Sequence, residues 1–246
     1  MPLKRLGSSS LMARSFRGSA LTTATKMFDN AFRLISNLIL VRLLAPEAFG
    51  LFGIALTINQ LTVMFTDIGI GKAVIRHQRG EEPVFCNTAF VTRFGLHTLL
   101  YLFVLLVAAA LMTFPEAFPE NSVLRHPDTP ALVAITGLQL ILSGLQSSNL
   151  WMAQRQLLLG RLTILSIVGS LVSIVVTILS ASLGLGVWSF VLGLLTSQVF
   201  NTVGTHVFLP GIRNSWQWDR TVFREIFGFG KWLVPASMAG FFLNQG

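Results

Sequence analysis

The first chemically informative feature of the sequence is a set of charged and polar side chains inside an otherwise apolar stretch. Thr22, Lys26, Asp29, Arg33 and Ser36 follow one another at spacings of four, three, four and three residues, so a helix places all five on one face. A charge at the centre of a bilayer costs about 2.5–3.5 kcal/mol on insertion scales. Two interpretations remain open: an Asp29–Arg33 ion pair that locks helices together, and the wall of a hydrated, cationic cavity.

Two later apolar stretches carry similar residues. Asp67 lies near the end of the second stretch, and Arg93 and His97 lie four residues apart on one face of the third. Buried polar groups on three stretches favour a shared cavity over separate packing pairs, and the excess of cations favours an anionic ligand. Because a guanidinium can bind two phosphate or carboxylate oxygens, we predict a substrate-binding cavity that includes Lys26, Arg33 and Arg93. His97 alone is more typical of helix packing than of proton relay.

The composition indicates an integral membrane protein. Hydrophobic residues make up 52% of the 246 residues and charged residues only 11%, whereas ordinary soluble domains are about 25% charged. The mean hydropathy is +0.68. The net charge of +8 fits Lys- and Arg-rich cytoplasmic loops better than nucleic-acid binding, so no nucleic-acid partner is expected. The single cysteine, Cys86, is predicted to be a small packing residue.

The apolar stretches predict an all-α, polytopic transmembrane helix bundle. A helix needs about 20 residues to cross the hydrocarbon layer, and six stretches meet this requirement before a seventh begins. The predicted spans are 19–44, 47–71, 84–113, 130–153, 161–181 and 187–209, with the seventh starting near Val222.

The distribution of Lys and Arg predicts the orientation of this bundle. With the N-terminus inside, two basic residues fall in outer segments, Arg42 and Arg125. Twelve fall in inner segments: Lys4, Arg5, Arg14, Arg17, Lys72, Arg76, Arg79, Arg155, Arg161, Arg213, Arg220 and Arg224. Because cytoplasmic loops are enriched in these residues, the bias predicts a cytoplasmic N-terminus.

Other features are weaker. Small residues such as Gly169 and Gly193 recur in the fifth and sixth predicted helices and favour close helix packing. Gln139 and residues 145–149 could either hydrogen-bond sugars in a cavity or bond neighbouring helices. No loop carries a recognisable catalytic or metal-binding motif, so we predict no catalytic residue, metal site or cofactor, and no enzymatic activity.

Several motifs are similar to those of a known family. Arg42, Leu43, Leu44, Pro46, Glu47, Phe49 and Gly50 match its first recurring pattern, and Asp67, Gly69, Gly71 and the following "AVIRH" match the second. The segments "LGLGVWSFVLGLL" and "FGFGKWLVPASMAGFFLNQG" resemble the entries to its sixth and seventh helices. The sequence thus resembles the N-terminal half of bacterial polysaccharide biosynthesis proteins. These are oligosaccharide flippases of the multidrug/oligosaccharidyl-lipid/polysaccharide superfamily, and the nearest subgroup includes the colanic acid and lipopolysaccharide exporters.

The resemblance implies a function. The chain is expected to take part in flipping polyprenyl-diphosphate-linked oligosaccharide repeat units across the bacterial inner membrane for surface polysaccharide synthesis. Its partners would be the lipid-linked oligosaccharide, membrane lipids, and a polysaccharide polymerase with its chain-length regulators. Asp29 and Asp67 would be candidate sites for coupling to an ion gradient. The alternatives are a multidrug exporter of the same superfamily and a non-transporting scaffold in a polysaccharide assembly complex.

The resemblance also implies a division of the chain, since the family has two helical lobes. Residues 1–18 are expected to form a cytoplasmic N-terminal arm and residues 19–209 a six-helix transmembrane lobe. Residues 210–246 would form a cytoplasmic loop and the start of a second lobe that the sequence truncates. The resemblance thus implies that the chain acts as a non-autonomous half of a flippase.

Overall fold

The computed structural model describes residues 36–64, 69–120 and 122–230, together with Met27, Asn30 and Leu34. Within these residues all regular structure is helical, which agrees with the predicted all-α class. We label the helical residues 36–43 as α1. The remaining α-helices are α2 (Pro46–Met64), α3 (Ile70–Arg76), α4 (Pro83–Thr113), α5 (Thr129–Gly144), α6 (Asn149–Arg155), α7 (Leu159–Ser182), α8 (Trp188–Val207) and α9 (Arg220–Gly230). Two short 3₁₀ turns, Pro115–Ala117 and Val123–Arg125, lie between α4 and α5.

The described helices include membrane-spanning candidates, but fewer than the six predicted spans. By length and composition, α4 with 31 residues and α7 with 24 residues can cross a membrane, and α5 with α6 forms a third span if the bent pair is counted as one. The polar second half of α8 illustrates why some predicted spans do not qualify, since it contains Gln198, Asn201 and His206.

Two predicted helices differ from the observed ones. The helix predicted over 130–153 is divided into α5 and α6, which meet at an angle of 61°. Of the helix predicted over 47–71, the structure describes α2 as far as Met64, and α3 begins separately at Ile70. Gly69, directly before α3, has a left-handed backbone with φ of 76°, a conformation that glycine adopts without steric cost. The predicted helices over 84–113, 161–181 and 187–209 agree with α4, α7 and α8 to within two residues.

The interior contains two clusters of buried apolar side chains. The larger one joins α1, α2, α4, α5, α7 and α8, and includes Leu51, Val104 and Leu132. The smaller one joins α3, the start of α4, α6 and α9, and includes Phe85 and Ile226. The second cluster therefore ties the short helices to one end of the bundle.

Small residues allow the long helices to approach closely, as the sequence predicted. On α5, Gly137 faces Tyr101 and Val104 of α4, and Gly144 faces His97. Gly169 of α7 lies against Asn201 of α8, and Gly193 of α8 lies against Ser173 and Thr177 of α7: the contacting partners of both glycines are on the neighbouring helix. Packing of this kind is the usual role of small residues in membrane helices.

Candidate functional site

A cavity of about 500 Å³, lined by polar and apolar side chains, lies between α2, α3, α4, α5, α6 and α8. Its described lining has two cationic side chains, Lys72 of α3 and Arg93 of α4. Three amide side chains face it from three different helices: Gln139, Gln154 and Gln198. No carboxylate belongs to the described part of the lining. The described part of the walls therefore carries cationic side chains and offers uncharged groups that can form hydrogen bonds.

Arg93 is held in this cavity by three neighbours. Its Nη2 donates hydrogen bonds of 3.1 Å to Ser143 Oγ and of 3.1 Å to Gln146 Oε1. Its guanidinium carbon lies 5.2 Å from the ring centroid of Trp151, within the range of a cation–π interaction. Its Nη1 is buried and has no hydrogen-bond partner among the described residues. A buried donor left unsatisfied costs about 1–3 kcal/mol, so this nitrogen is well suited to an incoming acceptor.

His97 lies one helical turn beyond Arg93 and also lines the cavity. The side chain is 5% exposed, and its Nδ1 lies 3.0 Å from the carbonyl oxygen of Leu140. Because a carbonyl only accepts hydrogen bonds, Nδ1 carries the proton in this contact. The bond joins α4 to α5, as expected for a histidine that packs between helices.

The three glutamines are available to a ligand. Within the described part of the chain, the side-chain amides of Gln139, Gln154 and Gln198 make no hydrogen bond to protein atoms. Each amide offers two donors and one acceptor oxygen. Such a set can bind hydroxyl groups or phosphate oxygens without adding charge.

The structure describes only some of the sequence-predicted cavity residues. Arg93 and His97 share the cavity, and Gln139 lines it. The predicted substrate-binding residues Lys26 and Arg33 and the predicted ion-coupling residues Asp29 and Asp67 lie outside the described residues. Arg93 lines a cavity, but its assignment to substrate binding remains a prediction, as do the assignments of these four residues.

Some lining residues were missed from the sequence. Lys72 belonged to a predicted loop, but helix α3 directs it to the cavity. Trp151 and Gln154 are three residues apart, so α6 presents them on neighbouring positions of one face. That spacing was a usable signal, although only the break before α6 aligns this face with the cavity.

The break between α5 and α6 is filled by side chains from later in the chain. Ser147, Ser148 and Asn149 are all buried. Their hydrogen-bond partners are Thr205 of α8 and residues of the 208–219 loop, chiefly Asn214 and Ile212. Of the two uses considered for residues 145–149, these contacts support bonding between structural elements.

Ion pairs cluster at the end of the bundle where the 77–82 loop meets α6 and α9. Arg79 pairs with Glu82 at 3.0 Å and with Glu225 of α9 at 2.9 Å. The hydrogen bond to Glu82 and the negative charge of Glu225 raise the pKa of Arg79, which keeps it charged. Arg155 pairs with Glu81 at 3.1 Å. Among the described residues, no group of His, Cys, Asp and Glu side chains could hold a metal ion.

A helical membrane protein with a basic, amide-lined cavity is therefore the class that the fold and site define. Residues 39–246 match the model of the family described as polysaccharide biosynthesis protein, and the chain belongs to that family. It is also similar to the succinoglycan biosynthesis transport protein ExoT of Rhizobium meliloti (strain 1021), with 26% identity over 168 residues. No solved structure matches the chain at a significant level.

The similarity to ExoT is partial. The matched segment covers 68% of this chain and 32% of ExoT. The chain therefore spans about a third of the length of the curated relative that it matches.

Proposed function

We propose that this chain takes part in translocating polyprenyl-diphosphate-linked oligosaccharide repeat units across the bacterial inner membrane for surface polysaccharide synthesis. In this proposal the cavity binds the diphosphate and the adjoining sugar. The observation that carries it is the placement of Arg93 and Lys72 in one amide-lined cavity of a membrane-spanning bundle. The family membership and the similarity to a transport protein support the same role.

The charge of the cavity favours an anion. Arg93 keeps an unpartnered, buried Nη1, and a guanidinium binds phosphate oxygens through paired hydrogen bonds. A cavity for organic cations would need acidic or aromatic side chains to stabilise positive charge. The described lining lacks carboxylates, and its indole ring, Trp151, already contacts Arg93.

A neighbouring apolar groove suits the lipid part of such a substrate. It has a volume of about 350 Å³ and is formed by α4 and α9 with Trp218. Trp218, Phe223 and Phe227 supply its aromatic wall, and Ile70 lines both the groove and the cavity. An isoprenoid chain in the groove would therefore place its diphosphate close to the cavity.

We further propose that the chain forms one six-span lobe and the opening of a second in a two-lobe flippase, with its N-terminus in the cytoplasm. The lengths of α2 and α8, 19 and 20 residues, are compatible with short spans. Lys26 and Arg33 would extend the cationic wall, and Asp29 or Asp67 would couple transport to an ion gradient. The role is non-enzymatic, and the polymerase and chain-length regulators would be partners.

Binding to the purified chain in lipid nanodiscs tests this proposal directly. Native mass spectrometry would compare polyprenyl diphosphate with polyprenol, which lacks the charged group. We expect preference for the diphosphate, and an affinity loss of about tenfold to a hundredfold in Arg93→Gln, because a hydrogen bond to a charged group contributes about 1.5–3 kcal/mol. Arg93→Lys should be intermediate. Arg213→Gln removes an exposed loop charge and serves as the matched control.

A second measurement tests transport. In the source bacterium, Arg93→Gln should reduce surface polysaccharide while the amount of protein in the membrane is unchanged. Equal binding of polyprenol and polyprenyl diphosphate would contradict the proposal. Preferential binding of an organic cation would favour a multidrug exporter. Normal surface polysaccharide at normal protein level would favour a scaffold.

A further inference from the structure

The joint between α5 and α6, residues 145–148, is held by groups that belong to neither helix. We infer that Asn214, in the loop between α8 and α9, is a positioning residue: by holding this joint it places Trp151 and Gln154 in the cavity. The inference concerns the geometry of the site and stands whether or not the ligand is a lipid diphosphate. Only the ligand-affinity readout below rests on the proposed function.

Asn214 bonds both serines of the joint through both atoms of its amide. Its Oδ1 accepts hydrogen bonds from Ser147 Oγ at 2.5 Å and from the backbone nitrogen of Ser148 at 3.2 Å. Its Nδ2 donates to Ser148 Oγ at 2.6 Å. Since both serines are fully buried, water cannot replace these bonds without opening the packing. One side chain therefore satisfies three polar groups of the joint.

A second contact fixes the loop on the first residue of α6. Asn149 Nδ2 donates to the carbonyl oxygen of Ile212 at 3.1 Å, and the backbone nitrogen of Ile212 donates to Asn149 Oδ1 at 3.0 Å. Gly211 allows this approach, because a Cβ on it would collide with the Asn149 amide. The pair orients the loop so that Asn214 reaches the serines.

Helix α8 contacts three further backbone groups around the joint. Thr202 Oγ1 donates to the carbonyl oxygen of Leu142 at 2.9 Å, and the backbone nitrogen of Ser147 donates to Thr205 Oγ1 at 2.9 Å. His206 Nε2 lies 2.8 Å from the carbonyl oxygen of Leu145. Interrupted membrane helices can bind ions through freed backbone groups. Here the side chains of Thr202, Thr205 and His206 already contact backbone groups at the break. The role of the break that we consider is therefore the direction it gives to α6.

The joint connects directly to the cation of the cavity. Gln146, inside the joint, accepts a hydrogen bond from Arg93 at 3.1 Å. Trp151, under the same guanidinium, lies two residues after Asn149. A shift of the joint would therefore move two of the contacts of Arg93 together, and Gln154 with them.

Fluorine NMR of the chain labelled with 5-fluorotryptophan tests the positioning role without any ligand. Trp151→Phe assigns the Trp151 resonance. We expect Asn214→Ala to shift or broaden this resonance while that of Trp188, outside the described cavity lining, stays in place. Asn214→Asp keeps the two accepted bonds and should restore most of the native spectrum. Arg213→Ala, on the same loop, is the matched control.

The affinity for polyprenyl diphosphate provides the second readout. Loss of the joint contacts in Asn214→Ala should weaken binding by about tenfold in the folded fraction, and Asn214→Asp should recover it. If Asn214→Ala does not fold, Thr205→Val removes one joint contact at nearly constant volume, and the same Trp151 shift is expected.

The outcomes separate the two proposals. An unmoved Trp151 resonance in folded Asn214→Ala, or in folded Thr205→Val where the first variant does not fold, would overturn the positioning inference, even if the diphosphate binds. A moved resonance in a protein that never binds the diphosphate would support the positioning role and count against the proposed function. Equal shifts in Asn214→Ala and Asn214→Asp would also overturn the inference, because the retained bonds would then have no effect.

Discussion

At the residue scale, Arg155 shows how one cation stabilises a helix too short to be stable alone. Its Nη1 donates to three carbonyl oxygens at the C-terminal end of α3: Val74 at 3.1 Å, Ile75 at 3.1 Å and His77 at 2.7 Å. The last carbonyls of a helix have no partner within it, and they carry the negative end of the helix dipole. The guanidinium of Arg155 donates hydrogen bonds to these carbonyls and places a positive charge beside the negative end of the dipole. It thereby holds the helix that carries Lys72.

Replacement of this cap should lower stability measurably. We expect Arg155→Met to reduce the free energy of unfolding by about 1.5–3 kcal/mol, the range for hydrogen bonds to charged groups, and Arg155→Lys to cause a smaller loss. Thermal unfolding in detergent measures the effect. Arg161→Met, which removes a cation 6.0 Å from the Phe208 ring, is the control and should cost about 0.5–1 kcal/mol. Equal losses in the two Met variants would argue against the capping role.

At the element scale, α7 and α8 form a closely packed pair. A Cβ added to Gly193 of α8 would collide with Thr177 Oγ1 and lie 2.8 Å from the carbonyl oxygen of Ser173. The oxygen of Ser173 also accepts the Thr177 hydroxyl hydrogen bond at 2.8 Å, so the threonine has little freedom to move aside. Backbone proximity at this point sets the position of the helix that carries Gln198.

Gly193→Ala should therefore destabilise the protein although alanine is the better helix former. We expect a loss of about 1–3 kcal/mol from overpacking, which outweighs the gain of about 1 kcal/mol in helix propensity. Gly53→Ala in α2 is the matched control, because a Cβ there meets nothing within 4 Å, and it should be neutral or stabilising. Thermal unfolding measures the stability of both variants against the native protein. A Gly193→Ala variant as stable as the native protein would show that the two helices can separate without cost.

The same scale shows how far the sequence predicts the fold. The apolar run that predicted a helix over 84–113 agrees with α4, because a long apolar segment satisfies its backbone only within itself. The helix predicted over 130–153 is broken, because the partners of Ser147 and Ser148 come from Thr205 and Asn214. Local periodicity contains no information about such distant partners.

The candidate site was predictable to a similar extent. Arg93 and His97 were identified because a spacing of four residues and a polar character are local properties. Lys72 and Trp151 reach the cavity through α3 and α6, whose directions depend on the Gly69 turn and on the break at 145–148. Those directions result from tertiary contacts, which explains why the pattern missed both residues.

At the scale of the whole molecule, the two ends of the bundle differ in chemistry. One end joins the loop at 77–82 to α6 and α9 through Arg79–Glu225 and Arg155–Glu81 pairs. It also contains Arg213 of the 208–219 loop and Arg220 at the start of α9. The other end joins the start of α2 to the loop after α4, where His126 lies 3.4 Å from Glu47. Because basic residues are retained on the cytoplasmic side, the end with Arg79 and Arg155 is the expected cytoplasmic face.

Cysteine labelling in intact cells tests this orientation. The native Cys86 is fully buried, so a membrane-impermeant maleimide should find little background, and Glu116→Cys and Arg213→Cys place single thiols on exposed loops at opposite ends. We expect Glu116→Cys to react from outside the inner membrane and Arg213→Cys to react only after the membrane is opened. The reverse pattern would place the basic end outside. It would also place the cavity, whose lining includes Lys72, nearer the outer face, and that position would contradict the proposed binding of a substrate delivered from the cytoplasm.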